Sequence, residues 1–527
     1  MSARIVVDPV TRIEGHLRIE VEVDSGKVVD AWCKGTMFRG FEQIMRGKDP
    51  RDATYVTERI CGVCMGSHGW TAALAVEDAF GAQVPTAGRL IRNLLIGALW
   101  LHDHPLHFYH LSALDYLDIT AIEGYRGNDP GLLQVKAKVL ALVQAGDPYP
   151  LLPRYEPDEF TVRDPEVVTT AVAHYLKALE IQAKAKKMSA ILGGKQPHQS
   201  TIVVGGVTSC PNPEQLRQFA ELLEETITFV KNVYVPDVVA FGTGPLLPLA
   251  RAGLGAGPGN YLAYGAFPLD DAGKEKLFKA GVILDGDLGR VHPLDPGQIT
   301  EAVTYSWYKE GVGGHPAQAA TEVDLDKENG YSFVKAPRYA GRPAEVGPLA
   351  RMLVRQHAPL LDLMRQYGIR PGAVARHAAR ALETLLIADA MPVWLEELTK
   401  VLGSNKAFAD DGSARIHDGE HWEPPQTGVG AGLNEAPRGA LGHWVRINDR
   451  KVENYQIVVP TTWNASPRDE RGNRGPIEQA LIGAPVPDPD NPVNVVRIIR
   501  SFDPCLACAV HVVEPARGRE KVLHILC

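Results

Sequence analysis

The sequence predicts an α+β protein, mainly helical, built as one large domain with a long-helix bundle at its core and small β-sheets at its periphery. Three observations predict it. Long stretches of helical periodicity fill the middle of the chain, and short alternating stretches flank them. No internal repeat, low-complexity linker or hinge divides the 527 residues. Apolar residues make up 45% and charged residues 22%, an ordinary composition for a chain that buries a large core.

In chain order, "RIVVDPV", "HLRIEVEVDSG" and "VVDAWCKG" read as strands separated by turn residues. From about Thr86 the period becomes helical, with Leu90, Leu94, Gly97 and Leu101 on one face. "PEVVTTAVAHYLKALEIQAKAKKMSAIL" predicts a long helix closed by Gly193 and Gly194. "NPEQLRQFAELLEETITFVKNVYV" predicts another, opened by Asn212 with Pro213 in its first position. "PGAVARHAARALETLLIADAMPVWLEELTKVL" predicts a third, with a kink or break at Pro392. Residues 238–345 read as a Gly/Pro-rich stretch with short strands, and residues 403–440 mostly as loop. A hairpin follows across "LGHWVRINDRKVENYQIVVP".

The net charge of −8 is well mixed and no basic stretch marks a nucleic-acid binder. "MSARIVVDPVTRIEGH" has no apolar core or small-residue cleavage site, so no signal peptide is expected. No apolar run reaches the roughly 18 residues of a membrane span. Of seven cysteines, four form two pairs: Cys61 and Cys64 in "ERICGVCMGSH", and Cys505 and Cys508 in "FDPCLACAVH". Two thiolates on a tight turn chelate one ion, and four suit zinc, iron–sulfur clusters or nickel. Structural zinc is the commonest use of such pairs, but they then lie about 12–20 residues apart, whereas here almost the whole chain separates them. Two glycine motifs are decoys. "GVGAGL" at 428–433 lacks the dinucleotide fingerprint, and "GGK" at 193–195 lacks P-loop spacing.

"RICGVC" with "DPCLAC" and His511 closely resembles the large subunit of nickel–iron hydrogenases, of the respiratory uptake type. So do "DPVTRIEGH", "FRGFE", "HDHPLHFYHLSALDY", "GGKQPH", "APRGALGHW" and "VVPTTWN", in the family's order from end to end. The resemblance implies a nickel–iron centre buried where the N- and C-terminal Cys-x-x-Cys motifs meet, splitting or forming dihydrogen. Cys61, Cys64, Cys505 and Cys508 would hold nickel. Cys64 and Cys508 would bridge to an iron carrying carbon monoxide and cyanide.

The same resemblance makes Glu14 the first proton acceptor beyond Cys505, although a glutamate is ordinarily a solvated surface group. Arg438 would stand over the open metal site, anchored by Asp103 and Asp503, instead of being a surface cation. Pro437, Pro460 and Thr461 would line the iron side, the hydroxyl donating to a cyanide. His68 would hydrogen-bond a cysteine sulfur; a satisfied buried histidine is the plainer reading. His102, His104, His107 and His110 form a cluster more in keeping with packing than with a metal. Glu42, the Ile457 carbonyl and His511 would hold a magnesium or ferrous ion near the C-terminus.

Cys33, Cys210 and Cys527 are too few for an iron–sulfur cluster, which takes about four cysteines. Electrons must therefore leave through an iron–sulfur small subunit, with a membrane cytochrome b as a further partner. Residues 1–511 would be the working domain. Residues 512–527 would be a maturation peptide, removed by an endopeptidase after nickel-insertion proteins have acted. The small subunit would carry the export signal, placing the enzyme in the periplasm or on the outer face of the cytoplasmic membrane. The alternatives are a cytoplasmic, cofactor-coupled hydrogenase, a dihydrogen sensor, against which the C-terminal peptide argues, and a zinc protein. The related complex I subunit lacks the cysteine pairs.

Overall fold

In the computed structural model, the residues described are 3–146, 149–151, 155–404 and 415–509. The predicted N-terminal strands pair as an antiparallel sheet of β1 (Ala3–Val7), β2 (Leu17–Asp24) and β3 (Lys27–Gly35). The centre is helical. Helix α1 (Met65–Phe80) begins directly after Cys64. Helix α2 (Thr86–Pro105) packs against both α3 (Pro165–Gly193) and α5 (Ala373–Leu402), and α4 (Pro213–Phe229) packs against α3 and α5.

The boundaries follow local chemistry. Asp164 caps α3 by accepting from the Glu166 and Val167 amides, and Gly194 closes it at φ 76°. Asn212 and Gln215 form a reciprocal capping box at the start of α4. Helix α2 is buried on nearly every side, so its residues meet neighbouring elements all round and not water.

Two expectations need correction. Pro392 does not break α5, which is continuous from Ala373 to Leu402. Pro392 is exposed while Met391 and Trp394 are buried, so its ring and missing amide fall on the solvent side of a helix that runs on past it. The stretch read as loop also contains a strand. β4 (Thr427–Ala436) pairs with β5 (Gly439–Asn448), which pairs with β6 (Lys451–Val458), and all three are antiparallel. Its glycines hid it: a Cβ on Gly430 would meet the Ala75 carbonyl at 2.1 Å, and one on Gly432 the Thr71 carbonyl at 2.2 Å. Only a glycine strand lies this close to α1. "GVGAGL" is thus part of a sheet packed on a helix and not a phosphate loop. Residues 238–345 do contain the short strands expected, paired in two-stranded sheets.

The segment around Glu14 meets the segment around Pro504 and Leu506. The Glu14 amide donates to the Pro504 carbonyl at 3.2 Å, and the Leu506 amide to the Glu14 carbonyl at 2.8 Å. Gly15 permits the approach: its φ is 79°, and a Cβ there would lie 2.6 Å from the Ala507 nitrogen. Asp115 locks the arrangement by pairing with Arg12 on one side and Arg500, at 2.6 Å, on the other. Arg500 also donates to the Thr11 carbonyl at 2.9 Å. Buried ion pairs of this kind cost desolvation but penalise alternatives that leave a charge unpaired. No helix among the described residues is long and apolar enough to cross a membrane.

Candidate metal centre

Cys61 and Cys64 flank the turn that opens α1. Cys505 and Cys508 follow the helix Val493–Ser501, the latter within the short helix Leu506–Ala509. The four sulfurs are buried and lie within 4.8 Å of one another. Each N-terminal cysteine meets a C-terminal one, Cys61 with Cys505 at 3.4 Å and Cys64 with Cys508 at 3.3 Å. The Val63 and Cys64 amides point at the Cys61 sulfur, at 3.2 and 3.3 Å. Hydrogen bonds from Cys505, Cys508 and Cys64 draw the Cys61 thiol well below its usual range; burial first, then the neighbouring sulfurs, holds Cys505 well above, and burial holds Cys508 well above against its hydrogen bond with Cys505. Four thiolates in one dry pocket become tenable around a multivalent soft cation, so the residues present fit a metal such as nickel.

Two groups of opposite character flank the sulfurs. Glu14 Oε2 accepts from Cys505 Sγ at 3.1 Å and from the Ala507 amide at 3.0 Å. Burial raises its carboxyl above the usual range and the charge on Cys61 adds to this, with the two donors opposing. Arg438, in the turn between β4 and β5, places Nη2 3.1 Å from Asp503 and Nη1 3.8 Å from Asp103 at the end of α2. Burial opposes its charge, but Asp503, Cys505, Asp103 and Cys64 outweigh that and keep the guanidinium firmly protonated. Its Nε and Nη1 have no hydrogen-bond partner among the described residues.

Comparison with known proteins decides what this constellation is. The family described as "Nickel-dependent hydrogenase" matches residues 39–511. The chain belongs to the nickel-dependent hydrogenase family. It is 42% identical to the periplasmic NiFeSe hydrogenase large subunit of Desulfomicrobium baculatum, over 99% of this chain and 98% of that protein. It is 38% identical to the uptake hydrogenase large subunit of Bradyrhizobium diazoefficiens, over 97% and 96% of the two chains. The solved D. baculatum NiFeSe hydrogenase superposes with a TM-score of 0.83 at 41% identity, covering 97% of this chain and 100% of that one. The reduced NiFeSe hydrogenase of Desulfovibrio vulgaris Hildenborough gives 0.81 at 40%, with the same coverage. The chain is therefore a hydrogenase large subunit with a four-cysteine metal site, acting in dihydrogen oxidation.

The remaining predicted residues of this hydrogenase fall as follows. Thr461, at the start of the short helix Pro460–Asn464, accepts the Cys505 amide at 2.9 Å and keeps its own proton for another acceptor. Pro460 is buried beside it, and Pro437 is buried next to Arg438, its carbonyl accepting from Arg351 at 2.7 Å. His68 Nε2 lies 3.4 Å from Cys508 Sγ, and burial lowers its pKa to about 4. Glu42 is brought to Ile457, but to its amide, which donates to Oε1 at 2.9 Å. Thr321 donates to Glu42 Oε2, and the Lys335 ammonium stands 3.5 Å from that oxygen. His511 lies outside the described residues.

The four histidines of the α2 region do not converge. His102 bonds Asp103 at 2.7 Å, His104 bonds Glu383 at 2.8 Å, and His107 and His110 bond the carbonyls of Arg500 and Tyr175. Sequence reasoning missed Asp115, the clamp on both chain ends, although it stands in the quoted "HLSALDY". Lys335 and Thr321 around Glu42 were missed too, as were His443 and Tyr455 beyond His68. A charged residue inside an otherwise apolar stretch was the available signal for Lys335, and for His443 its place in "APRGALGHW".

Proposed function

We propose that nickel is held by all four cysteines, with Cys61 and Cys505 terminal and Cys64 and Cys508 bridging to an iron that carries carbon monoxide and cyanide. The observation that carries this reading is the cluster of four buried sulfurs, within 4.8 Å, drawn from both chain ends. Such a centre supplies a soft, redox-variable site at which dihydrogen is polarised and split heterolytically. All four ligand positions here are cysteine, which suits a nickel–iron centre even though some relatives bear selenium in their names.

The chain's own residues do the rest. Glu14 Oε2 takes the proton from the Cys505 sulfur and passes it outward, a transfer favoured by its raised pKa. Arg438 offers Nε and Nη1, which have no hydrogen-bond partner among the described residues, and a permanent charge over the site, with Asp503 and Asp103 holding its plane. Pro437 and Pro460 keep water from the iron side, and the Thr461 hydroxyl donates to a cyanide. A hard cation, magnesium or ferrous iron, sits at Glu42, the Ile457 carbonyl and His511. Its support is the nearness of Glu42 to Ile457, through the Ile457 amide, and the positive charge that Glu42 already draws from Lys335.

Electrons leave through an iron–sulfur small subunit. Cys33 and Cys210, the two remaining cysteines among the described residues, do not join the four-sulfur group. The uptake and periplasmic names of the relatives support an export-linked, membrane-associated enzyme over a sensor or a cytoplasmic enzyme, and a membrane cytochrome b is its proposed acceptor. Residues 512–527 are cut off by a maturation endopeptidase after nickel insertion. The family match, which runs to His511, supports that boundary. Nickel analysis and dihydrogen uptake by each Cys→Ser variant of the assembled enzyme test the ligand set. Loss of both in all four is expected, and a variant that retains both removes its cysteine from it.

A further inference from the structure

The hydrogen bonds that begin at Cys508 do not stop at His68. His68 Nδ1 lies 3.3 Å from His443 Nε2, and His443 Nδ1 lies 2.8 Å from the Tyr455 hydroxyl. The three side chains come from α1, β5 and β6 and are buried throughout. We propose that Tyr455 and His443 are positioning residues whose hydrogen bonds fix the tautomer of His68, so that one N–H is aimed at the Cys508 sulfur. The inference rests on Cys508 being a metal-bound thiolate, as proposed above.

The polarity follows by counting protons. A metal-bound thiolate has no proton and can only accept, so His68 Nε2 carries the hydrogen. A neutral ring carries one, hence His68 Nδ1 accepts, from His443 Nε2–H. With His443 neutral as well, its Nδ1 accepts in turn, from the Tyr455 hydroxyl that faces it. The reverse polarity would end on a protonated Cys508, which cannot serve as a bridging ligand in that form. The polarity holds for a neutral His68, whose two ring nitrogens each face one partner, Cys508 Sγ and His443 Nε2. The hydroxyl at the far end therefore sets which nitrogen faces the sulfur. Hydrogen-bond partners behind a metal's ligands commonly matter about 10–100-fold in metal affinity or activity.

The test uses the matured heterodimer with ¹⁵N-labelled histidine, in a diamagnetic reduced state. Ring nitrogen shifts are assigned by difference against His68→Gln and His443→Gln. Wild type should show both rings as Nε2–H tautomers. Tyr455→Phe, which removes one oxygen, should keep nickel content and thermal midpoint but redistribute the His68 tautomer. It should also lower the midpoint potential of the nickel couple, because a thiolate that loses its N–H donor becomes a stronger electron donor. A merely structural tyrosine would move neither readout. An Nδ1–H or doubly protonated His68 in wild-type, nickel-loaded protein overturns the relay. So does a Tyr455→Phe enzyme with unchanged shifts and potential. Should that variant fail to assemble, the wild-type tautomers still decide. Fully matured wild-type protein without nickel overturns the ligand assignment, and the relay with it.

Discussion

Glu14→Gln isolates proton transfer from everything else the residue does. One oxygen, Oε2, takes both the Cys505 sulfur at 3.1 Å and the Ala507 amide at 3.0 Å. A glutamine carbonyl placed there accepts the same amide, and the main-chain bonds of Glu14 to Pro504 and Leu506 are untouched. Fold and metal content should therefore survive, and the thermal midpoint should scarcely move. What is lost is basicity, since an amide oxygen takes no proton at ordinary pH. A positioned acid–base group is worth about 10²–10⁴-fold, and the exchange of dihydrogen with solvent deuterons should fall by that factor. The assay is mass-spectrometric hydrogen/deuterium exchange on the assembled heterodimer, with nickel quantified in the same sample. Exchange within threefold of wild type, at full nickel content, would refute Glu14 as the first acceptor.

Arg438→Lys should retain nickel but lose turnover by about 10–100-fold, because an ammonium keeps the charge and loses the planar fork set between Asp503 and Asp103; unchanged turnover counts against its role. Active enzyme should end at His511, and intact-mass analysis finding Cys527 in turning-over protein would contradict this. Glu478 offers a pH test away from the metals. Burial raises its pKa to about 7, against donors from the Cys33 amide, at 2.9 Å, and the Tyr331 hydroxyl, at 2.8 Å. Between its unfolded value of 4.5 and about 7 the native state holds a proton that the unfolded state has released, so stability falls as pH rises through that window. The slope corresponds to on the order of 3 kcal/mol in total, and Glu478→Gln should flatten the thermal midpoint against pH; an unaltered profile would show that Glu478 does not titrate there.

What could be read in the sequence depended on where the physical signal was local. Helices α3 and α4 carry their own caps, Asp164 and Asn212, and their own period, so their limits were legible to within a few residues. Helix α1 was not singled out, because it is buried on several sides and opens with Gly66 and Gly69, which leave no polar face to mark a period. Strand β4 was hidden for the converse reason: its glycines look like loop, and only the approach of α1 explains them. At the site, spacing within each Cys-x-x-Cys announced a chelate, and the family motifs joined the two ends. Contacts between elements left no such trace. His68 and His443 are 375 positions apart, and neither one's sequence neighbourhood points to the other. His102, His104, His107 and His110, read as packing or hydrogen-bonding residues and not as a metal cluster, are so placed, each ring with a different partner.

The central claim is that both Cys-x-x-Cys pairs make one nickel-bearing site. Metal analysis with infrared spectroscopy of protein matured in the presence of its nickel-insertion machinery tests it most directly. One nickel and iron per chain, with bands of diatomic ligands that vanish in Cys64→Ser and Cys508→Ser, is the predicted result. Zinc alone, with no such bands, would contradict it.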